Sequence, residues 1–77
     1  MPLTFKDIER IIKDLWFELH HIKGSHYIFS KDNKKITIPY HNKKNLKPKT
    51  AKTIIKQISI IANIDFKILI KKYNIKF

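Results

Sequence analysis

The stretch Lys23-Gly-Ser-His-Tyr-Ile-Phe-Ser-Lys-Asp-Asn-Lys-Lys-Ile-Thr-Ile-Pro39 decides the fold. It holds two runs rich in aromatic and β-branched residues, His26–Ser30 and Lys35–Ile38, which read as strands. Between them lies Lys31-Asp-Asn-Lys34, a hairpin turn in which Asp and Asn can cap their own backbone. Gly24 is the only glycine of the chain and marks the preceding turn, Lys23-Gly24-Ser25, because it accepts a positive φ without cost. Pro39 cannot donate to a ladder and ends the last strand.

Upstream, Phe17, Leu19 and His21 alternate with Glu18, His20 and Ile22, a period of two that predicts an edge strand. Strict alternation sends His20 and His21 to opposite faces. Before it, Ile8, Ile11, Ile12 and Leu15 form one apolar helical stripe, so a helix is predicted over about residues 5–15. Thr4 is its N-cap, and Asp7 and Glu9 sit where the helix dipole favours acids. Trp16 interrupts the pattern and is assigned to packing.

Downstream, Tyr40 to Leu46 reads as a polar loop. Pro48 opens a second helix with Ile54, Ile55, Ile58, Ile61 and Ala62 as its buried stripe and Lys49, Lys52 and Lys56 on its wet face. Asn63 or Asp65 caps a short third helix with Phe66, Leu69, Ile70 and Tyr73 inward. The order α-β-β-β-α, plus a terminal helix, predicts a three-stranded antiparallel sheet with both main helices on one face, an α+β architecture that resembles the double-stranded-RNA-binding fold. Residues 1–77 form a single domain.

Composition narrows the function. The 77 residues carry 17 Lys+Arg against 6 Asp+Glu, a net charge of +11, yet 43% are hydrophobic and nine are aromatic, so this is not a disordered tail. There is no cysteine, which excludes a disulfide scaffold, a thiolate zinc site and a cysteine nucleophile. One glycine rules out multi-glycine phosphate loops. No apolar run is long enough to span a membrane, and the opening Met-Pro-Leu-Thr-Phe-Lys-Asp lacks a signal peptide's apolar core, so the expected compartment is the cytoplasm. Residues 1–30 net zero charge; residues 31–77 carry thirteen lysines against Asp32 and Asp65 and hold the whole excess. Lysines bind phosphate as point charges, which favours sequence-tolerant backbone contact. A general lysine-rich composition bias is the alternative source of this charge.

Four histidines, His20, His21, His26 and His41, are the candidates for proton transfer near neutral pH. His20 and His21 point to opposite faces of the predicted strand, and His21 and His26 lie on different strands with no Asp or Glu at ligand spacing, so a metal site is not expected. His26 follows the Gly24-Ser25 turn, whose backbone N–H groups can face an anion beside the imidazole. A turn histidine bonded to nearby backbone is the competing reading. His41, after Pro39-Tyr40, is either an acid/base partner or a loop contact to phosphate or solvent. Tyr27, Phe29 and Tyr40 could stack on bases, but Tyr27 and Phe29 share one strand face and read as core.

These pieces together, Lys23-Gly-Ser-His-Tyr-Ile-Phe29, then Ile36-Thr-Ile-Pro-Tyr-His41, then Leu46-Lys-Pro48 with Thr50 and Ile54-Ile55, resemble the HicA family of small bacterial mRNA interferase toxins. The similarity covers about residues 5–60, with a C-terminal extension over about 64–77. It implies metal-independent RNA cleavage without a cofactor, His26 as the catalytic acid or base, and a HicB-type antitoxin as protein partner. RNA contacts are expected from Gly24, Ser25, Lys34, Lys35, His41, Lys43, Lys44, Lys47, Lys49 and Lys52. The second proton-transfer group stays open between His41 and a lysine. Where the family has Gly-Phe after helix one, this chain has Trp16-Phe17, so that turn is expected to be built differently. Lys49 stands where the family has Gly. A non-catalytic RNA-binding module of the same fold is the rival reading. A membrane-surface anchor over residues 64–77 is a third, disfavoured because its apolar face is needed for the core.

Overall fold

The computed structural model describes residues 3–40 and 46–76. His41, Lys43 and Lys44 lie outside the described residues. The elements run α1 (Phe5–Asp14), β1 (Glu18–Lys23), β2 (His26–Lys31), β3 (Lys34–Pro39), α2 (Pro48–Ala62) and α3 (Phe66–Lys72). The predicted α-β-β-β-α order with a short terminal helix is what forms.

Helix α1 starts on a capping box. The Thr4 hydroxyl accepts from the Asp7 N–H at 3.3 Å, and the Asp7 carboxylate accepts from the Thr4 N–H at 2.9 Å. Its stripe of Ile8, Ile11 and Ile12 is buried against the sheet and α2. All three helices end alike. A residue in the left-handed region donates to the carbonyl three back, and its successor to the carbonyl five back. The pairs are Trp16→Lys13 with Phe17→Ile12, Asn63→Ile60 with Ile64→Ser59, and Asn74→Lys71 with Ile75→Ile70. This is the Schellman arrangement, with an apolar residue after the reversal.

Asn tolerates the left-handed region; Trp16, at φ 69°, does so under strain. The α1–β1 turn is therefore built in the ordinary glycine geometry with a tryptophan in the glycine's place, contrary to expectation. Trp16 is also 82% exposed, so it is not a packing residue. The burial of Phe17 and Leu15 on either side fixes the turn and leaves the indole pointing outward.

The sheet has the order β1-β2-β3, antiparallel throughout. Gly24, at φ 59°, closes the first hairpin, and Asp32 and Asn33, at φ 51° and 67°, close the second as a type I′ turn. Cross-strand partners share a face. Phe29 with Ile36, and Tyr27 with Ile38, line the helix side, where Phe29, Ile36 and Ile38 join the core with Ala51, Ile54, Ile55 and Ile58 of α2. Ile61 and Ala62 pack at its margin. Leu69 anchors α3 in the same core, with Phe66, Ile70 and Tyr73 against it, as the apolar pattern predicts. Among the described residues, no helix is long and apolar enough to cross a membrane.

One departure is local. The β1 register slips between Leu19 and His21, leaving His20 as a bulged residue. His20 and His21 consequently lie side by side, with their Nδ1 atoms 2.6 Å apart, instead of on opposite faces.

Candidate active site on the open face of the sheet

His26 opens the middle strand directly after the Gly24-Ser25 reversal. In register it pairs with Lys23 of β1 on one side and Pro39 of β3 on the other. Its alternation is opposite to that of Tyr27 and Phe29, so the imidazole stands on the face that carries no helix, and it is exposed. The choice of face, which depends on register, is thereby settled in favour of solvent.

Several elements converge at this end of the sheet. The Tyr40 N–H donates to the Ser25 carbonyl at 2.7 Å, which ties the exit of β3 to the Gly24-Ser25 turn. Phe5 of α1 packs edge-on to Tyr27 and to Tyr40, at 4.8 and 4.9 Å between ring centroids. The Leu46 N–H donates to the Leu3 carbonyl at 2.7 Å, so the chain entering α2 is held beside the start of α1. Lys47, the N-cap residue of α2, follows immediately, and Lys49 and Lys52 lie in the first turns; all three are exposed. Helix α2 starts with Pro48 at its first position, no side-chain cap and no acidic residue in its first turn. The positive end of its dipole is thus left uncompensated by acidic charge.

The cationic candidates do not form one cluster. Lys34 pairs with Lys31 at the second hairpin, five residues along β2 from His26, a separation of roughly 17 Å. Lys35 pairs with Ser30 and faces the same open side as His26, one row nearer. Neither reaches a phosphate held at His26. Lys35 suits a strand that runs along the open face, whereas Lys34, as the partner of Lys31, leaves the sheet on the helix side and does not. Lys31 is committed elsewhere: its Nζ donates to the Leu15 carbonyl at 2.6 Å and lies 5.9 Å from the centroid of the Phe17 ring, closing the end of α1.

Sequence reasoning missed Lys23. As the direct cross-strand partner of His26 it projects from the same face, with Cβ atoms of such pairs typically about 4.5–5.5 Å apart. The signal was the two-residue hairpin, which makes the flanking residues a pair. Tyr27 and Phe29 face the core, and Tyr40 is engaged with Phe5 and Tyr27, so the aromatic-stacking role is not supported for the first two.

The chain matches the family described as HicA toxin of bacterial toxin-antitoxin over residues 5–60. That span covers α1, the three strands and most of α2, and the chain belongs to this family. No curated protein and no solved structure matches it. It is therefore the toxin of a toxin–antitoxin system, a class whose partner is an antitoxin.

Proposed function

We propose that this toxin is a metal-independent endoribonuclease that cuts mRNA, with His26 as general acid or base. The observation that carries the reading is the exposed His26 imidazole on the helix-free face, next to the Gly24-Ser25 turn and across from Lys23. An RNA backbone has room to approach this face, and imidazole is the side chain suited to moving protons near neutral pH.

In the reaction, the ribose 2′-oxygen attacks the adjacent phosphorus and loses its proton. The bond from phosphorus to the 5′-oxygen breaks, and that oxygen gains a proton. The products are a 2′,3′-cyclic phosphate and a 5′-hydroxyl. His26 carries one of the two proton transfers. The Lys23 ammonium offsets charge that builds on the phosphate oxygens, a form of electrostatic stabilisation that matters most in the transition state. Lys47, Lys49 and Lys52 hold the backbone at the near end of the sheet, and Lys35 tracks it at the far end. Gly24 and Ser25 supply backbone N–H groups at the scissile phosphate. His41, Lys43 and Lys44, in the segment leading to α2, complete the RNA surface; His41 or a lysine takes the second proton transfer. The double-stranded-RNA-binding-like layering of helices on one side and a bare sheet on the other is consistent with this use.

A HicB-type antitoxin is the proposed inhibitor, covering the His26 face. At +11 the toxin attracts an acidic partner quickly.

The test uses single-stranded RNA in EDTA, with one substrate carrying 2′-deoxy sugars. The reading expects cleavage of the all-ribose strand to cyclic-phosphate ends, and binding without cleavage of the deoxy strand. Binding of both strands with no products at any pH would leave only an RNA-binding module.

A further inference from the structure

We propose that β1 is a dimerisation edge and that two copies of this chain join their sheets through antiparallel β1–β1 pairing. The strand reads Glu18-Leu-His-His-Ile-Lys23, and its chemistry is palindromic: acidic, apolar, imidazole, imidazole, apolar, basic. A two-fold axis between His20 and His21 sets Glu18 opposite Lys23 of the second copy. It sets Leu19 opposite Ile22, and the two histidine pairs opposite each other.

The bulge is what makes this pairing consistent. In a regular six-residue strand, the first and last residues point to opposite faces, and so do the second and fifth. Here the slipped register places Leu19, opposite Phe29, and Ile22, opposite Tyr27, on the same helix-side face. Glu18, opposite Ser30, and Lys23, opposite His26, share the open face. The palindrome therefore holds in side-chain direction as well as in sequence.

The edge is also open. Every residue of β1 is exposed. Leu19 and Ile22 are half exposed, at 50% and 49%, although they face the helix layer, because the helices pack over β2 and β3. Pairing two-fold about an axis normal to the sheet keeps both helix layers on one side, so these apolar side chains meet in the gap between them. Among the described residues the one ion pair joins Lys13 to Glu9, which leaves Glu18 and Lys23 available to a partner.

Charge selects this edge over the other. Residues 1–30 net zero, so β1 is where two +11 chains can approach. Strand β3 begins Lys34-Lys35 and ends in Pro39, which has no N–H; like charge and a missing donor are the usual protections of an edge. Isologous closure at β1 therefore wins over head-to-tail growth. A single strand pair is a small interface, so the association is weak and concentration-dependent.

Sedimentation equilibrium in EDTA, from micromolar to millimolar protein, reads it directly. Wild type is expected to shift from monomer to dimer across that range. Glu18→Lys and Lys23→Glu each set like charges opposite one another twice, and each is expected to weaken self-association by roughly tenfold or more. An equimolar mixture of the two variants restores both opposite-charge pairs and is expected to dimerise like wild type. Both positions are exposed, and circular dichroism verifies that the variants fold. A wild type that stays monomeric at millimolar concentration overturns the proposal. So does a dimer indifferent to either swap, or a mixture that associates no better than its components.

Discussion

Lys23 and His26 form the last cross-strand pair of the first hairpin, so the ammonium and the imidazole leave the sheet side by side on its open face. The two cannot be separated in sequence terms from an ordinary turn; they become a unit only through register. Their proposed roles differ, and the difference is measurable. Lys23→Ala is expected to slow cleavage by about tenfold or more while leaving most RNA affinity intact, because the cation acts on charge that develops in the transition state. Equal losses in cleavage and binding would assign Lys23 to backbone holding alone.

The lysines at the two ends of the sheet are expected to behave alike in binding and unlike in catalysis. Lys49→Ala and Lys35→Ala should each weaken RNA binding without regard to sequence and reduce the slope of log affinity against log salt by about 0.7. Since Lys35 lies well away from His26 along β2, its loss should leave the rate at saturating RNA nearly unchanged. Titrations at several salt concentrations, paired with single-turnover cleavage, check both statements.

Trp16 holds a left-handed backbone at φ 69° with its indole 82% exposed, so the residue is strained and contributes little burial. Trp16→Gly should stabilise the monomer by about 1 kcal/mol, since a non-glycine residue in this region costs roughly 1–2 kcal/mol and glycine returns part of that gain as unfolded-state entropy. Urea denaturation at low protein concentration measures it. A loss of stability would mean that the indole makes contacts worth more than the strain.

Tyr73 ties α3 to α1 by donating its hydroxyl to Asp14 at 3.3 Å. Partial burial pushes the Tyr73 hydroxyl above its ordinary value, the Asp14 charge and hydrogen bond push it further, and Arg10 pulls the other way. A raised phenol favours the protonated form in the folded state. Its contribution is therefore fully present below the unfolded value near 10 and is lost as pH rises through the folded value. Tyr73→Phe should lose this alkaline decline while keeping the packing of the ring. Stability curves between about pH 8 and 11 for the two proteins give the comparison. Parallel curves would show that Tyr73 does not titrate differently on folding.

Much of the architecture was legible in the sequence because its signals are local. The Thr4 N-cap, the Ile8-Ile11-Ile12 stripe, Gly24 and the Asp32-Asn33 reversal each act within a few residues, and each forms as read; the return bond from the Thr4 N–H to Asp7 is what the structure adds. Asp65 caps α3 by accepting from the Lys67 and Ile68 N–H groups, again a short-range device. The His20 bulge was not legible, since a slipped register is decided by which β2 residues β1 meets and not by β1 alone. The Trp16 turn was misread for a related reason. Burial of Leu15 and Phe17 on either side dictates a left-handed residue between them, whatever its propensity. His26 was identifiable as a candidate from its place after Gly24-Ser25, but its face and its neighbour Lys23 follow from pairing.

The central claim is that the chemistry resides at His26, and one paired experiment tests it most directly. Wild type and His26→Ala are incubated with end-labelled single-stranded RNA in EDTA, with RNA binding and circular dichroism recorded on the same samples. Acid/base catalysis by one side chain typically contributes about 10²–10⁴-fold, so the account predicts a folded, RNA-binding variant whose cleavage falls by that factor. A folded His26→Ala protein that cuts RNA at the wild-type rate would contradict it.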